Sequence, residues 1–117
     1  MDIQDKNVAL VTGSSSGIGF ETALLLARNG FHTYASMRNP KKSKDITQIA
    51  SREKLPLEVV KLDVNSDTSV KVAVDEIVKE NKRIDVLINN AGYGLFGSLE
   101  DTSIEEIKAQ LKRTFLE

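Results

Sequence analysis

Residues 12–19 of the 117-residue chain read TGSSSGIG, a glycine-rich segment between a predicted strand and a predicted helix. Directly before it, residues 8–11 read VALV, a short apolar run typical of a strand buried on both faces of a parallel sheet. After it, a pattern at helical spacing runs from Ile18 to Leu26 and predicts a helix. Gly30 follows this pattern, and a glycine commonly ends a helix. The positions at helical spacing are Ile18, Thr22, Leu25 and Leu26. A strand therefore leads into a helix through a glycine-rich turn.

The three glycines of this turn have separate uses in a phosphate-binding site. Gly13 lets the chain turn tightly, Gly17 lets the backbone approach a ligand, and Gly19 lets the helix pack closely on the strand. The open amide groups at the start of a helix attract a phosphate, so a pyrophosphate is the natural ligand. The spacing G-x-x-x-G-x-G differs from the common dinucleotide pattern G-x-G-x-x-G. On these residues alone, an ordinary glycine turn remains the alternative.

Strand and helix patterns alternate along the rest of the chain. Further strands are predicted at residues 33–37, 59–62 and 86–88. A weakly patterned helix is predicted after Asn39, and another begins at the capping box of Ser103 and Glu106. The clearest helix has its apolar stripe at Val70, Ala73, Val74, Ile77 and Val78. This alternation predicts one α/β domain over residues 1–117, with a parallel sheet connected by right-handed crossovers.

Composition restricts the classes of partner. The formal net charge of -1 gives no overall attraction to nucleic acid or to an anionic membrane. No window approaches the ~20 apolar residues of a membrane span, and no export signal is visible, so we expect a cytoplasmic protein. The chain has no cysteine, which excludes disulfides and thiolate chemistry, and no metal site is expected.

Three motifs resemble those of the short-chain dehydrogenases/reductases. Residues 12–19 resemble the family segment T-G-x-x-x-G-I-G, and residues 89–92, NNAG, resemble its N-N-A-G segment. Asp63 and Val64, at the end of the third predicted strand, match a third feature. The resemblance covers the whole chain, but only about the first half of a typical member. It implies a truncated Rossmann-type sheet of about four strands in the order 3-2-1-4, with helices on both faces.

The same resemblance implies a nicotinamide dinucleotide as cofactor and assigns residues to it. The glycine-rich turn would surround the phosphates and the adenosine ribose, Asp63 and Val64 would contact adenine, and the N-N-A-G segment would follow the ribose on the nicotinamide side. The predicted cofactor-binding residues are Gly13, Ser14, Ser16, Gly17, Ile18, Gly19, Arg38, Asp63, Val64, Asn90, Ala91 and Gly92. Arg38 is included because the second strand ends in Met37-Arg38 without an acid, which favours NADP over NAD.

Some of these residues also have a purely structural interpretation. Asp63 could simply cap a turn, and Arg38 could be a solvated surface charge. For the asparagine pair we expect both roles, with Asn89 tying neighbouring strands and Asn90 facing the ligand. His32 has no acidic or hydroxyl partner at a recognisable spacing, so we expect a surface residue without chemistry. Tyr93 could line the nicotinamide pocket or only pack its loop.

The catalytic residues that the resemblance would require are missing. Family members use a tyrosine in a Y-x-x-x-K pair, a serine, and an asparagine in the fourth helix. Here Tyr34 is followed four residues later by Arg38, and Tyr93 by Gly97. Thr114 stands where the helix asparagine would align. No catalytic residue is therefore predicted in this chain.

Three hypotheses follow. The first is an oxidoreductase fragment that retains the dinucleotide site but lacks catalysis on its own. The second is a non-catalytic dinucleotide sensor that reports to a protein partner, and the third is a structural fragment that binds no cofactor. We expect the fragment to self-associate as a homodimer, because residues 86–88 would form an unprotected sheet edge. A monomer in which the apolar stripe of the fourth helix folds back over that edge is the alternative. These residues do not predict the substrate of the oxidoreductase from which such a fragment would come.

Overall fold

The computed structural model describes residues 7–90, which form a sheet of four strands with three α-helices around it. In chain order the elements are β1 (Val8–Thr12), α1 (Gly17–Arg28), β2 (His32–Met37), α2 (Lys44–Glu53), β3 (Leu57–Lys61), α3 (Asp67–Asn81) and β4 (Val86–Asn89). No helix in this part of the chain is both long and apolar enough to cross a membrane. The helix predicted from Ser103 lies outside the described residues.

The strands are all parallel and follow the order β3-β2-β1-β4. Their register places Leu10 opposite both Tyr34 and Leu87, and Thr12 opposite Asn89. The predicted α/β class and strand order are confirmed. Because the strands are parallel, their carboxyl ends meet at one edge of the sheet, which we call the carboxyl edge.

Each face of the sheet carries its own apolar core. Leu10, Tyr34 and Leu87 point to the face covered by α3, which buries the stripe predicted for that helix. Val11, Ala35 and Met37 point to the opposite face, which α1 and α2 cover. This two-sided cover explains why VALV at residues 8–11 is unalternating, since side chains on both faces of β1 are buried.

The buried face of α1 differs from the predicted one. The sequence pattern placed Ile18 and Leu25 in the stripe, but their side chains are 73% and 60% exposed. The helix instead buries Gly19, Ala23, Leu24 and Ala27. Glycine and alanine at positions 19, 23 and 27 let this face of the helix approach the sheet closely.

Two other boundaries differ from the prediction. The helix expected directly after Asn39 is divided, because Asn39 caps a short 3₁₀ helix, Pro40–Lys42, and α2 begins only at Lys44. Strand β3 begins at Leu57, two residues earlier than predicted, because its backbone pairs with β2 from Thr33 onward. Gly30 has a φ of 89° immediately after the helix cap, as predicted for the end of α1.

His32 is not the surface residue that we expected. It is the first residue of β2 and is only 9% exposed. Its Nδ1 lies 2.9 Å from Asn81 Oδ1, and its Nε2 lies 2.7 Å from Glu58 Oε2. These partners come from α3 and β3, 49 and 26 positions away, so no local spacing reveals them.

Candidate functional site

The glycine-rich turn connects β1 to α1 at the carboxyl edge. Gly13 and Gly17 adopt φ values of 64° and 65°, which glycine reaches without steric cost. Ser16 is the N-cap of α1 but gives no side-chain cap to the helix. The first amide groups of a helix have no intrahelical acceptor. The turn therefore presents open N–H groups at the positive end of α1, which suits an anion.

Gly19 is required by the close approach of three elements. A Cβ at this position would overlap the carbonyl oxygen of Gly13 and would lie 2.7 Å from Asn90 Nδ2. Asn90 Nδ2 also donates to that same carbonyl, at 3.3 Å. The glycine turn, the first helix and the side chain of Asn90 therefore meet at a point that leaves no room for a side chain on residue 19.

Ser14 anchors the turn to the second strand. Its amide donates to the Ser36 carbonyl at 3.0 Å, and its hydroxyl donates to the Val11 carbonyl at 2.7 Å. The residue is fully buried. Both of these polar groups are thus used inside the protein, and a direct contact of Ser14 with a ligand stays a prediction.

The two asparagines after β4 have different surroundings. Asn89 is buried, and its Oδ1 accepts from Thr12 Oγ1 at 2.8 Å, so it ties β4 to β1 as predicted. The Asn89 Nδ2 and Ser36 Oγ atoms are buried and have no hydrogen-bond partner within the described residues. Asn90 is half-buried beside the glycine turn. Its contact with a ligand stays a prediction, and Ala91 and Gly92 lie outside the described residues.

A cleft of about 250 Å³ opens beside the glycine turn, between the ends of β2 and β3. It brings together four of the predicted residues, which are Gly13, Arg38, Asp63 and Val64. It also has four lining residues that sequence reasoning missed, which are Ser15, Met37, Leu62 and Asn65. The missed residues are direct sequence neighbours of predicted ones. They could have been predicted from their position near the carboxyl ends of neighbouring strands, where ligands of such sheets bind. We call this space the β2–β3 cleft.

The walls of the β2–β3 cleft combine apolar and polar groups. Met37, Leu62 and Val64 are buried and provide an apolar lining. Arg38 is exposed at the mouth and has no ion-pair partner among residues 7–90, whereas Arg28 pairs with Glu53 at 2.7 Å. Asp63 Oδ1 accepts from the Asn65 amide at 3.0 Å, so the turn-capping interpretation of Asp63 is correct. It lines the cleft as well.

Two larger grooves flank β3, but they lack this convergence. The groove between α2 and β3 has a volume of about 380 Å³ and a largely apolar lining. The groove between α3 and β3 has a volume of about 510 Å³. Neither includes a residue of the glycine turn or of the turn after β4. The smaller β2–β3 cleft is therefore the candidate site.

Comparison with known proteins identifies relatives of this chain. The family model described as short chain dehydrogenase matches residues 7–116. The chain is 40% identical over 108 residues to a probable short-chain type dehydrogenase/reductase, VdlC, of Helicobacter pylori, covering 92% of this chain and 38% of that protein. It is also 40% identical over 113 residues to 17-beta-hydroxysteroid dehydrogenase type 1 of Mus musculus, covering 92% of this chain and 32% of that protein.

Solved structures show the same architecture. A variant of actinorhodin polyketide ketoreductase with NADPH matches with a TM-score of 0.72 and 32% identity, over 80% of this chain and 36% of that one. A metagenomic short-chain oxidoreductase in complex with NADP matches with a TM-score of 0.71 and 28% identity, over 82% and 43%. The chain spans less than half the length of each of these relatives and solved structures.

Proposed function

This chain belongs to the short-chain dehydrogenase family, and we propose that it binds a nicotinamide dinucleotide at its carboxyl edge, as the cofactor-binding part of an oxidoreductase. The close packing of Gly19 against the Gly13 carbonyl and the Asn90 side chain supports this proposal most directly. A pyrophosphate site needs this close backbone approach beside open helix amides. The dinucleotide supplies or accepts a hydride when bound. The residues of this chain bind and orient it.

The parts of the dinucleotide correspond to different parts of the carboxyl edge. The amides at the start of α1, around Gly17 and Ile18, would hold the phosphates. The β2–β3 cleft would take the adenosine, with Met37, Leu62 and Val64 as its apolar walls. Burial under the cofactor would also account for Ile18, an apolar side chain in the first turn of α1 that is 73% exposed.

Arg38 favours NADP over NAD. It is an exposed residue of the β2–β3 cleft, whose lining also includes Ser15. A guanidinium there matches a 2′-phosphate, and charge-assisted hydrogen bonds of this kind contribute about 1.5–3 kcal/mol. An NAD-preferring site would instead place a carboxylate at the end of β2. The chain has Met37 and Arg38 at that point.

We propose that the chain binds without turnover on its own. Tyr34, the one tyrosine in the described part of the chain, donates to Glu80 Oε2 at 2.9 Å and accepts from Asn81 at 2.6 Å, near the start of β2. Burial, and then the bond to Glu80, raise the pKa of this phenol, while the bond from Asn81 opposes the rise. A catalytic tyrosine needs a lowered pKa. A rate of NADPH oxidation that is proportional to the protein concentration and is abolished by Gly17→Trp would contradict the proposed absence of turnover.

The chain also has a surface suited to its own copy. Strand β4 pairs only with β1 among residues 7–90. It contains no lysine, proline or glycine, the residues that discourage edge pairing. We propose a homodimer formed at this edge.

Titration with NADPH and NADH tests the proposed cofactor. We expect saturable NADPH binding, followed by nicotinamide fluorescence, and weaker NADH binding. Gly17→Trp should abolish binding, because its ring would occupy the phosphate position. Gly30→Trp is the matched control, since both glycines have positive φ and open space and lie at opposite ends of α1. Equal binding by the two variants, or none by the unchanged chain, would reject the proposal. The latter result would favour a purely structural fragment.

A further inference from the structure

A closed set of hydrogen bonds fixes the turn that forms one wall of the β2–β3 cleft. The Asp63 amide donates to Ser69 Oγ at 2.8 Å. The Asp63 carbonyl accepts from the Ser66 amide at 2.9 Å, and its Oδ1 accepts from the Asn65 amide at 3.0 Å. The Asp63 main chain is therefore held on both sides, and the side chain of Ser69 holds it from within α3.

Ser69 does not line the cleft itself. It is the third residue of α3, and its hydroxyl reaches back toward the end of β3. On the other side of the turn, the Leu62 amide donates to the Met37 carbonyl at 3.0 Å, directly before Arg38. The wall formed by Asp63 and Val64 is thus tied to α3 by Ser69 and to β2 by Leu62.

We propose that Ser69 is a positioning residue for the adenosine half of the dinucleotide. Its hydroxyl holds the Asp63 amide, and so keeps Asp63 and Val64 at the separation from Arg38 that the ligand requires. Without this acceptor the Asp63 amide loses its partner, and the turn reorganises before it can bind. The inference rests on the proposed function, because it assigns a role within that same site.

The neighbouring Ser66 allows a controlled test. Ser66 Oγ caps α3 by accepting from the Ser69 amide at 3.2 Å. Ser66→Ala therefore removes the helix cap but keeps the bond from Ser69 to Asp63. Ser69→Ala removes that bond but keeps the cap, which uses the Ser69 backbone. The two variants lose one hydrogen bond each within the same turn.

The experiment measures calorimetric Kd values of the full chain for NADPH and for 2′,5′-ADP, which lacks the nicotinamide half. Loss of one neutral hydrogen bond corresponds to about a fivefold effect. We expect Ser69→Ala to weaken the binding of both ligands by about that factor, and Ser69→Thr to bind both with the original affinity. Ser66→Ala should leave both affinities unchanged, although it lowers the melting temperature. In the ligand-free protein, Ser69→Ala should also speed hydrogen exchange at the Asp63 amide.

Three results would overturn the inference. Unchanged ligand affinity in Ser69→Ala would reject Ser69 alone and leave the proposed function intact. Equal weakening by Ser66→Ala would show a general loosening of α3 instead of positioning. Absence of NADPH binding by the unchanged chain would reject the proposed function, and this inference with it.

Discussion

Gly19 and Gly17 lie two residues apart in the glycine turn but are constrained by different physical effects. At Gly19 the constraint is space, because the Gly13 carbonyl and the Asn90 amide already occupy the position of a Cβ. At Gly17 the constraint is the backbone, whose φ of 65° is left-handed, while nothing lies within 4 Å of its Cβ position. Substitutions at the two glycines should therefore change the stability of the protein by different amounts.

Gly19→Ala should destabilise the protein by about 3 kcal/mol, in the upper range for overpacking of a tight contact. Gly17→Asn should cost less than about 1 kcal/mol, since asparagine tolerates the left-handed region and the space around it is open. Urea unfolding followed by circular dichroism measures both variants. Equal midpoints would show that the approach of Asn90 to Gly13 is not tight in solution.

Arg38→Asp should lower NADP affinity on the order of 10- to 100-fold, because it removes charge-assisted bonds to the 2′-phosphate and adds a repulsive charge. NAD affinity should change far less. Lys71→Asp makes the same charge change on an exposed position of α3 outside the cleft and serves as the control. Equal losses for both nucleotides, measured by fluorescence titration, would assign Arg38 to the solvated surface.

The sequence predicted which residues are special better than it predicted what they contact. The glycines of the turn and the tie made by Asn89 were predictable, because glycine and asparagine have few uses beside a buried strand. The bond from the Ser14 amide to the Ser36 carbonyl was not, since it depends on where β2 lies beside the turn. The prediction that His32 lies at the surface was wrong for the same reason, because both partners of its ring lie on distant elements.

Among the elements, α3 is held to the sheet by a polar chain at one end as well as by its apolar stripe. Asn81 donates to the Tyr34 hydroxyl, which donates to Glu80, and Asn81 also meets the ring of His32. The stripe was predictable because valine and isoleucine recur with helical period. The polar chain was not predictable, because the sequence pattern gives Glu80 and Asn81 no role other than that of solvated residues at a helix end.

Tyr34→Phe should test this polar chain through its pH dependence. The raised pKa of Tyr34 means that the folded protein keeps the phenol proton at a pH where the unfolded chain, with a pKa of about 10, releases it. The contribution of Tyr34 is therefore fully present below pH 10 and is lost as the pH rises above it. The free energy of unfolding of the variant should be about 1 kcal/mol lower at pH 7. Above pH 10 it should fall less steeply with pH than that of the original chain.

Urea unfolding at pH 7 to 11 measures both quantities for the original chain and for Tyr34→Phe. Parallel declines above pH 10 would mean that Tyr34 ionises equally in the folded and unfolded states. That result would contradict the buried, hydrogen-bonded phenol.

For the whole molecule, the proposed homodimer depends on strand β4. Leu87 is fully buried, while Val86 and Ile88 are half-buried. We expect a dimer mass in sedimentation equilibrium at micromolar concentration, because a second β4 would satisfy the backbone groups of this edge. Ile88→Lys should shift the mass to that of a monomer.

Val72→Lys is the control for this substitution, because it introduces the same charge on α3, at a side chain that is 52% exposed. Circular dichroism should first establish that both variants remain folded. A monomer mass for the unchanged chain, or a dimer that persists in Ile88→Lys, would reject association through β4.

The pairing of β1 with β4 also determines when the described fold can be completed during synthesis. Thr12 meets Asn89 across 77 positions, and Val8 exchanges hydrogen bonds with Asp85 over the same distance. At translation rates of 5–20 residues per second, about 4–15 seconds separate the emergence of these partners. Throughout that interval β1, whose side chains are buried on both faces in the finished protein, has one hydrogen-bonding side open. Strand β1, which later supports the glycine turn, is therefore open to mispairing until β4 emerges, and a chaperone that covers β1 would act in that interval.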